Sequence, residues 1–271
     1  MGGYKGRYFN REQIYFTGAY MDGAIYPVYQ PAGKRRRKCR PTSSIQAKLN
    51  QRNAEKKLVR IVHLNFGAED LAVTVTFRTG EEPKDEKDAQ RIVKNYLQRL
   101  RRLYRKLGLE LKYIYAIEYG GKKGRCHCHL IISGGVDRDL IEDAWGLGYA
   151  NTKRLQLDPD TGLTGLSKYT VKDKAFYKRW VGSRNLVKPE PAEIDGQISM
   201  DEVKELAEKV EDGTAAEYFE NLYPGYRLVE ASVERNAVNH GIYIRFEMAE
   251  ITGGAELEKI QKAKKRQKKR E

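Results

Sequence analysis

Two segments, LKYIYAIEY at 111–119 and CHCHLIIS at 126–133, flank the six residues GGKKGR and constrain the fold more than any other part of the chain. Both are rich in β-branched, aromatic and aliphatic residues, and the glycines and lysines between them are turn formers, so the three pieces predict a β-hairpin. An isolated hairpin is marginal in water and needs further strands or helices against one face. The neighbouring sequence supplies both.

LAVTVTF at 71–77 is β-branched and alternating and reads as a strand. From Pro83 to Leu107, residues Val93, Tyr96, Leu97, Leu100, Leu103, Tyr104 and Leu107 recur at helical spacing, with Arg99, Arg101, Arg102 and Arg105 on the remaining faces and Gly108 as the stop. Asp137 caps a short helix through Trp145, Tyr149 to Leu155 reads as a strand, and Leu163 to about Phe176 as a helix. The order strand, helix, strand, strand, helix, strand, helix predicts an α+β fold, a central antiparallel β-sheet with helices packed on one face. It does not suit a doubly wound parallel sheet.

Outside this core the chain changes character. Residues 1–33 are rich in Tyr, Gly and Pro without periodicity and read as a loosely structured arm. After Pro41, Thr42 and Ser43 offer an N-cap to a polar helix with a narrow apolar edge at Ile45, Leu49, Leu58 and Ile61. An acidic helix is expected near 200–211, followed by a hairpin of YRLVEASVE and GIYIRFEM joined by RNAVNH. The expected organisation is a basic arm and helix over 1–60, a core over 61–180, an extension over 181–250 and a basic tail over 251–271.

Charge narrows the function. The 51 Lys and Arg against 37 Asp and Glu leave a formal net charge of +14, concentrated in KRRRKCR at 34–40 and in the tail from Lys259. A balance of that size attracts a polyanion, whereas 190–220, with eleven acids against Lys204 and Lys209, should avoid phosphate. No apolar run approaches the ~20 residues of a spanning helix and MGGYKGRYFN has no apolar signal core, so a cytoplasmic protein without a membrane partner is expected. Three cysteines, two of them at Cys126 and Cys128, do not make a disulfide framework.

The hairpin carries the most informative side chains. Residues two apart on a strand share a face, so His127 and His129 look one way while Cys126, Cys128, Leu130 and Ile132 look the other. Thiols and imidazoles therefore diverge, against a Cys2His2 zinc site. With residues 120–125 as a symmetric turn, Glu118 lies opposite His127 and joins both imidazoles. Two imidazoles and a carboxylate with open positions suit a divalent metal, Mn²⁺ or Mg²⁺, and the nitrogen ligands favour Mn²⁺ in binding strength. His63 and His240 read as structural or surface residues. Among 18 tyrosines, Tyr169 in LSKYTVKDK is set apart by Lys172 one helical turn on, whose ammonium would ease loss of the phenolic proton; by spacing alone a half-buried Tyr beside a solvated Lys is the better account of the pair.

TVTF, then HCH on a later strand, then YTVK about forty residues downstream, in that order, resemble the motifs of the HUH endonuclease superfamily, and in particular the single-tyrosine rolling-circle replication initiators (Rep) of bacterial phages and plasmids. TSSIQAKLNQRNAEKKLVRIVHLNFGAEDLAVTVTF, WVGSRNLVKPE and GYRLVEASVERN extend the likeness over roughly 40–250. The resemblance implies an RRM-like or ferredoxin-like HUH fold. It implies metal ligation by Glu118, His127 and His129, with Tyr169 as nucleophile and Lys172 as its helper. The reaction implied is a metal-assisted transesterification that nicks a single-stranded DNA origin, leaving a 5′-phosphotyrosine and a free 3′-OH primer. Asp173, not a second tyrosine, lies four residues after Tyr169, which matches the single-tyrosine type; Tyr177 is the alternative nucleophile.

The partners implied are single-stranded origin DNA in a hairpin and a host helicase and polymerase, since the chain has no GxxxxGK[ST] loop of its own. Arg35, Arg36, Arg37, Lys178, Arg179 and Arg184 are candidate DNA contacts. Two competing readings are a single-tyrosine HUH transposase, commonly a smaller chain, and a non-enzymatic single-stranded nucleic-acid-binding module, which would show neither metal dependence nor a covalent adduct.

Overall fold

The computed structural model describes residues 7–30, 44–120, 125–170, 180–236 and 240–251, which fall into two compact units. One unit comprises 48–158 and 162–188; the other gathers the remainder of the chain.

The first unit holds most of helix α1 (Ser44–Asn65), then strand β3 (Leu71–Thr76), α2 (Glu86–Lys106), β4 (Tyr113–Gly120), β5 (Arg125–Ile132), α3 (Arg138–Asp143), β6 (Ala150–Arg154), α4 (Thr164–Thr170) and β7 (Val181–Gly182). Its five-stranded antiparallel sheet has the order β6-β3-β5-β4-β7. The run β3-α2-β4-β5-α3-β6 is therefore a βαββαβ unit with its first and third strands at the centre, the ferredoxin-like arrangement, and the expected α+β class with an antiparallel sheet holds.

Alternation assigns the two faces. Leu71, Val73 and Val75 of β3 and Cys126, Cys128, Leu130 and Ile132 of β5 are buried against α2 and α3. From α2 this layer receives Ala89, Val93, Tyr96, Leu97, Leu100 and Tyr104, the stripe that the 3.6-residue period specifies. Each Val or Leu so buried contributes roughly 1.5–3 kcal/mol. Leu107 departs from the expected stripe and is 56% exposed, because the helix ends at Lys106 and Gly108 turns the chain away at φ +69°.

Helices α2 and α3 share one face, as expected. A separate cluster places α1 and the start of α4 on the opposite face, where Leu58, Ile61, Val62 and Phe66 meet Ile114, Ile131, Leu155 and Leu163. Leu58 and Ile61 of the expected apolar edge of α1 thus face the sheet. At the β3 end, Trp145 packs edge-on against Phe77 and Tyr96, at 5.1 and 5.3 Å between ring centroids, and its indole N–H donates to the Thr76 carbonyl at 2.8 Å.

The second unit corrects the reading of the N-terminus. Residues 7–30 form strands β1 (Arg7–Thr17) and β2 (Tyr20–Gln30), an eleven-pair hairpin, not a loosely structured arm. They join β8 (Ala192–Asp195), β9 (Tyr226–Arg235) and β10 (Ile242–Glu250) in a sheet of order β8-β1-β2-β10-β9. Helices α5 (Met200–Glu211) and α6 (Ala216–Leu222) bring Val203, Leu206 and Phe219 to the core of this unit, against Ile14, Met21, Ile25, Ile244 and Phe246. The strand period went unseen because the inward positions of β1 and β2 include Asn10, Glu12 and Gly23. Gly23 is required there, since a Cβ would stand 2.2 Å from the Phe246 ring. The acidic helix is α5, opened by a capping box between Ser199 and Glu202.

Candidate metal centre

The β4–β5 register pairs Glu118 with His127 and Ala116 with His129. On the other side of β5, β3 pairs Thr76 with His127 and Thr74 with His129. Thr74, Thr76, His127, His129, Ala116 and Glu118 therefore occupy two cross-strand rows on one face, opposite the α2 layer. The strand alternation that sends Cys126 and Cys128 into the core sends both imidazoles out of it.

The three ligand-type side chains converge. One donor atom from each of Glu118, His127 and His129 lies within 4.8 Å of the other two. Glu118 is buried, and its Oε2 is 2.9 Å from His127 Nε2 and 3.5 Å from His129 Nε2. The imidazoles stand edge to face, 5.1 Å between centroids at 84°. Both Nδ1 atoms are turned away from the carboxylate, His127 Nδ1 to the Arg125 carbonyl at 3.2 Å and His129 Nδ1 to Thr74 Oγ1 at 3.1 Å. A ring whose Nδ1–H donates outward presents the Nε2 lone pair inward, the tautomer that a metal ligand needs. Burial lowers the His129 pKa, which favours the neutral ring. Burial pushes the Cys128 thiol up, so it stays protonated in the core and is no competing ligand.

This donor set fits a divalent cation. Two imidazoles and one carboxylate on rigid strands form a three-donor set, with positions left for other oxygen ligands. Among the described residues, no other group of three His, Cys, Asp or Glu donors converges in this way.

The remaining expected residues divide between described and undescribed parts of the chain. Tyr169 lies in the last turn of α4. Leu163, just before α4, and Leu166 within it belong to the cluster over Ile114 and Ile131, so α4 is packed on the same sheet face as the imidazoles. His63, expected to be structural, accepts the Leu163 amide at Nε2 over 3.1 Å and ties the start of α4 to α1. His240 lies in the β9–β10 turn with φ +52°. Lys172, Tyr177, Lys178, Arg179, Arg35, Arg36 and Arg37 lie outside the described residues. Arg184 is exposed just after β7.

Sequence reasoning missed Thr74, Tyr149 and Asn151. The signal for Thr74 was present in LAVTVTF, whose two threonines alternate with inward valines. Tyr149 bonds to Thr76 through its carbonyl, is 66% exposed, and receives a hydrogen bond from Asn151 Nδ2 at 3.3 Å on its phenolic oxygen. Beside it opens a cleft of about 640 Å³ lined in part by Thr76, Arg78, Arg125 and Tyr149. No described helix is long and apolar enough to cross a membrane.

A ferredoxin-like sheet with two histidines and a glutamate on one open face defines a class of α+β domain equipped to hold a divalent metal. Residues 70–174, which run from β3 to just past α4, match the family model of the replication-associated protein ORF2/G2P. No curated protein and no solved structure gives a significant match to the chain.

Proposed function

We propose that this protein is a rolling-circle replication initiator of the single-tyrosine HUH type, a site-specific nickase and strand transferase acting on single-stranded DNA. The observation that carries the reading is the convergence of Glu118, His127 and His129 on the sheet face that also carries α4, the helix of Tyr169, all within the stretch that matches a replication-associated family.

Glu118, His127 and His129 would hold Mn²⁺ or Mg²⁺, and a bound divalent ion supplies positive charge to an oxygen of the scissile phosphate. The tyrosine does the covalent work. Its hydroxyl oxygen forms a new bond to phosphorus as the bond from phosphorus to the 3′ oxygen breaks. The proton released by the phenol is balanced by one taken up on the departing 3′ oxygen. The products are a 5′-phosphotyrosine and a 3′-OH, with the phosphoester energy retained for rejoining. Lys172, three residues after Tyr169 in the sequence, would stabilise the phenolate and the charge on the phosphoryl group. The exposed Tyr149, in the same cross-strand row as His127 and joined to it through Thr76, suits an unstacked base beside the scissile position. The net charge of +14 suits the polyanion. The host would be a bacterium carrying the phage or plasmid, with its helicase and polymerase acting on the nicked origin in the cytoplasm.

The test is incubation with labelled single-stranded hairpin libraries and Mn²⁺, followed by denaturing electrophoresis. A protein-linked DNA product that chelator abolishes and that Tyr169→Phe lacks is expected. DNA binding without adduct, across varied hairpins and in both proteins, would replace the nickase by a binding module.

A further inference from the structure

A second concave surface lies far from the imidazoles. It is about 640 Å³ in volume and is lined by Arg101 and Arg105 of α2, by Arg184 after β7, and by Glu110, Tyr113 and Asn185 among others. Tyr113 begins β4 and packs with the α2 layer, whereas Glu118 lies five residues along the strand on the other face. The two places are thus about 17 Å apart along β4 and on opposite sides of the sheet.

Nothing described in the protein accounts for this charge. Arg101 and Arg105 are one helical turn apart, a spacing at which like charges disfavour a helix. The helix C-terminal dipole accounts for Arg105 alone. Among the described residues, neither these two nor Arg184 has an ion-pair or side-chain hydrogen-bond partner, although other arginines of the unit do, such as Arg91 with Asp88 and Arg99 with the carbonyls of Ala144 and Trp145. Glu110 is the one acid against three guanidinium groups in the lining.

The support is rigid. Ser183 donates its amide to the Tyr113 carbonyl at 2.9 Å and accepts the Tyr113 amide on its hydroxyl at 3.1 Å. Asn185 Nδ2 donates to the Leu111 carbonyl at 3.2 Å, so Arg184 sits between two residues clamped to the start of β4. Asn185 Oδ1 is buried without a hydrogen-bond partner.

We propose that Arg101, Arg105 and Arg184 form a second nucleic-acid site, which grips the phosphodiester backbone of a duplex segment flanking the strand held at the metal centre. It rests on the nucleic-acid reading given above. Guanidinium groups suit phosphate through their forked donors. The offset of about 17 Å along β4 alone corresponds to roughly five base-pair steps of duplex at 3.4 Å each, so the duplex gripped here would be a stem that continues beyond the single strand at the metal centre.

The test is a salt titration of the affinity of the full chain for a labelled DNA hairpin with a long stem. Replacing all three residues (Arg101→Gln, Arg105→Gln, Arg184→Gln) should lower the affinity tenfold or more near 0.1 M salt and reduce the log–log salt slope by about 2–3. The matching Arg→Lys triple variant should retain most of the slope, and Glu110→Gln should strengthen binding, a gain that misfolding would not produce. Unchanged affinity and slope in the Gln variant, with Mn²⁺ binding intact, would overturn the site. Stabilisation of wild type alone by inorganic pyrophosphate, without any effect of the variants on DNA affinity, would overturn the nucleic-acid assignment in favour of a free phosphate ligand. If wild type forms no covalent adduct yet the Gln variant still loses hairpin affinity, the nickase reading falls and this site stands.

Discussion

Thr74→Val isolates the orientation of one candidate metal ligand, His129, from its identity. Thr74 is half-buried in the middle of β3, and its Oγ1 lies 3.1 Å from His129 Nδ1. Valine keeps the β-branching and the shape and removes only the hydroxyl. The fold should lose about 0.5–1.5 kcal/mol, the net value of one hydrogen bond, because β3 stays paired with β5 and β6. Metal affinity should fall further. Loss of the bond that fixes a ligating imidazole typically costs ~10–100-fold, or ~1.4–2.7 kcal/mol. Calorimetric titration of Mn²⁺ into wild type, Thr74→Val, Thr74→Ser and His129→Ala measures this directly, with urea unfolding as the stability control. Thr74→Ser keeps the hydroxyl and should stay near wild type. Mn²⁺ affinity of Thr74→Val within twofold of wild type, while His129→Ala loses binding, would refute the claim that Thr74 sets the His129 ring.

Trp145→Ala removes the ring wedged between Phe77 and Tyr96 and the donor to the Thr76 carbonyl; urea denaturation should show a loss of about 3–5 kcal/mol, the range for large aromatic truncations. Tyr149→Ala should weaken single-stranded DNA binding by about 1–3 kcal/mol in fluorescence anisotropy, and Tyr149→Phe should restore it, since the ring face does the stacking. Glu12 accepts a hydrogen bond from the Tyr223 hydroxyl, but burial outweighs that bond and raises its pKa above the ordinary 4.5. The native state then holds a proton that the unfolded chain releases, so stability from this group is full below about pH 4.5 and is lost as pH rises through the raised folded value. Glu12→Gln should flatten that decline in thermal unfolding followed between pH 4 and 8, and an unchanged slope would remove Glu12 as its source.

The metal centre was legible because three independent periodicities agree on it. Strand alternation separates His127 from Cys128, turn symmetry sets Glu118 opposite His127, and the apolar run LIIS keeps the hairpin in register, since a slip of one residue would expose Leu130 and Ile132. The β1–β2 hairpin was not legible because its inward positions mix Asn10, Glu12 and Gly23 with Ile14, Met21 and Ile25. Glu12 is inward only because Tyr223, more than two hundred residues away, supplies its hydrogen bond. A local pattern cannot register a partner so distant. The same holds for α1 and α4. Their apolar residues are visible in sequence, but which face of the sheet receives them depends on Ile114 and Ile131, whose parity is that of the histidines.

That shared parity explains how one sheet face both packs helices and stays open. Taken in cross-strand rows, the face begins with Lys153, Ala72, Ile131 and Ile114, continues with Asn151, Thr74, His129 and Ala116, and ends with Tyr149, Thr76, His127 and Glu118. The three inner residues of the first row are apolar and lie in the cluster with α1 and Leu163, with the exposed Lys153 at its β6 end. The last is polar and faces outward, with Glu118 buried among its own partners. Rows two residues apart are about 7 Å distant, so the change from helix-packing surface to metal centre takes two steps of the strand. The middle row is the seam, and its smallest side chain, Ala116, is fully covered beside His129. A long apolar residue at 116 would extend the hydrophobic rows toward the imidazoles, whereas alanine lets the ligands begin where the packing ends. The helix that bears Tyr169 is anchored on the apolar row by Leu163 and Leu166 and tied there by His63. The residues that seat α4 and those that gather Glu118, His127 and His129 are therefore successive positions on the same three strands.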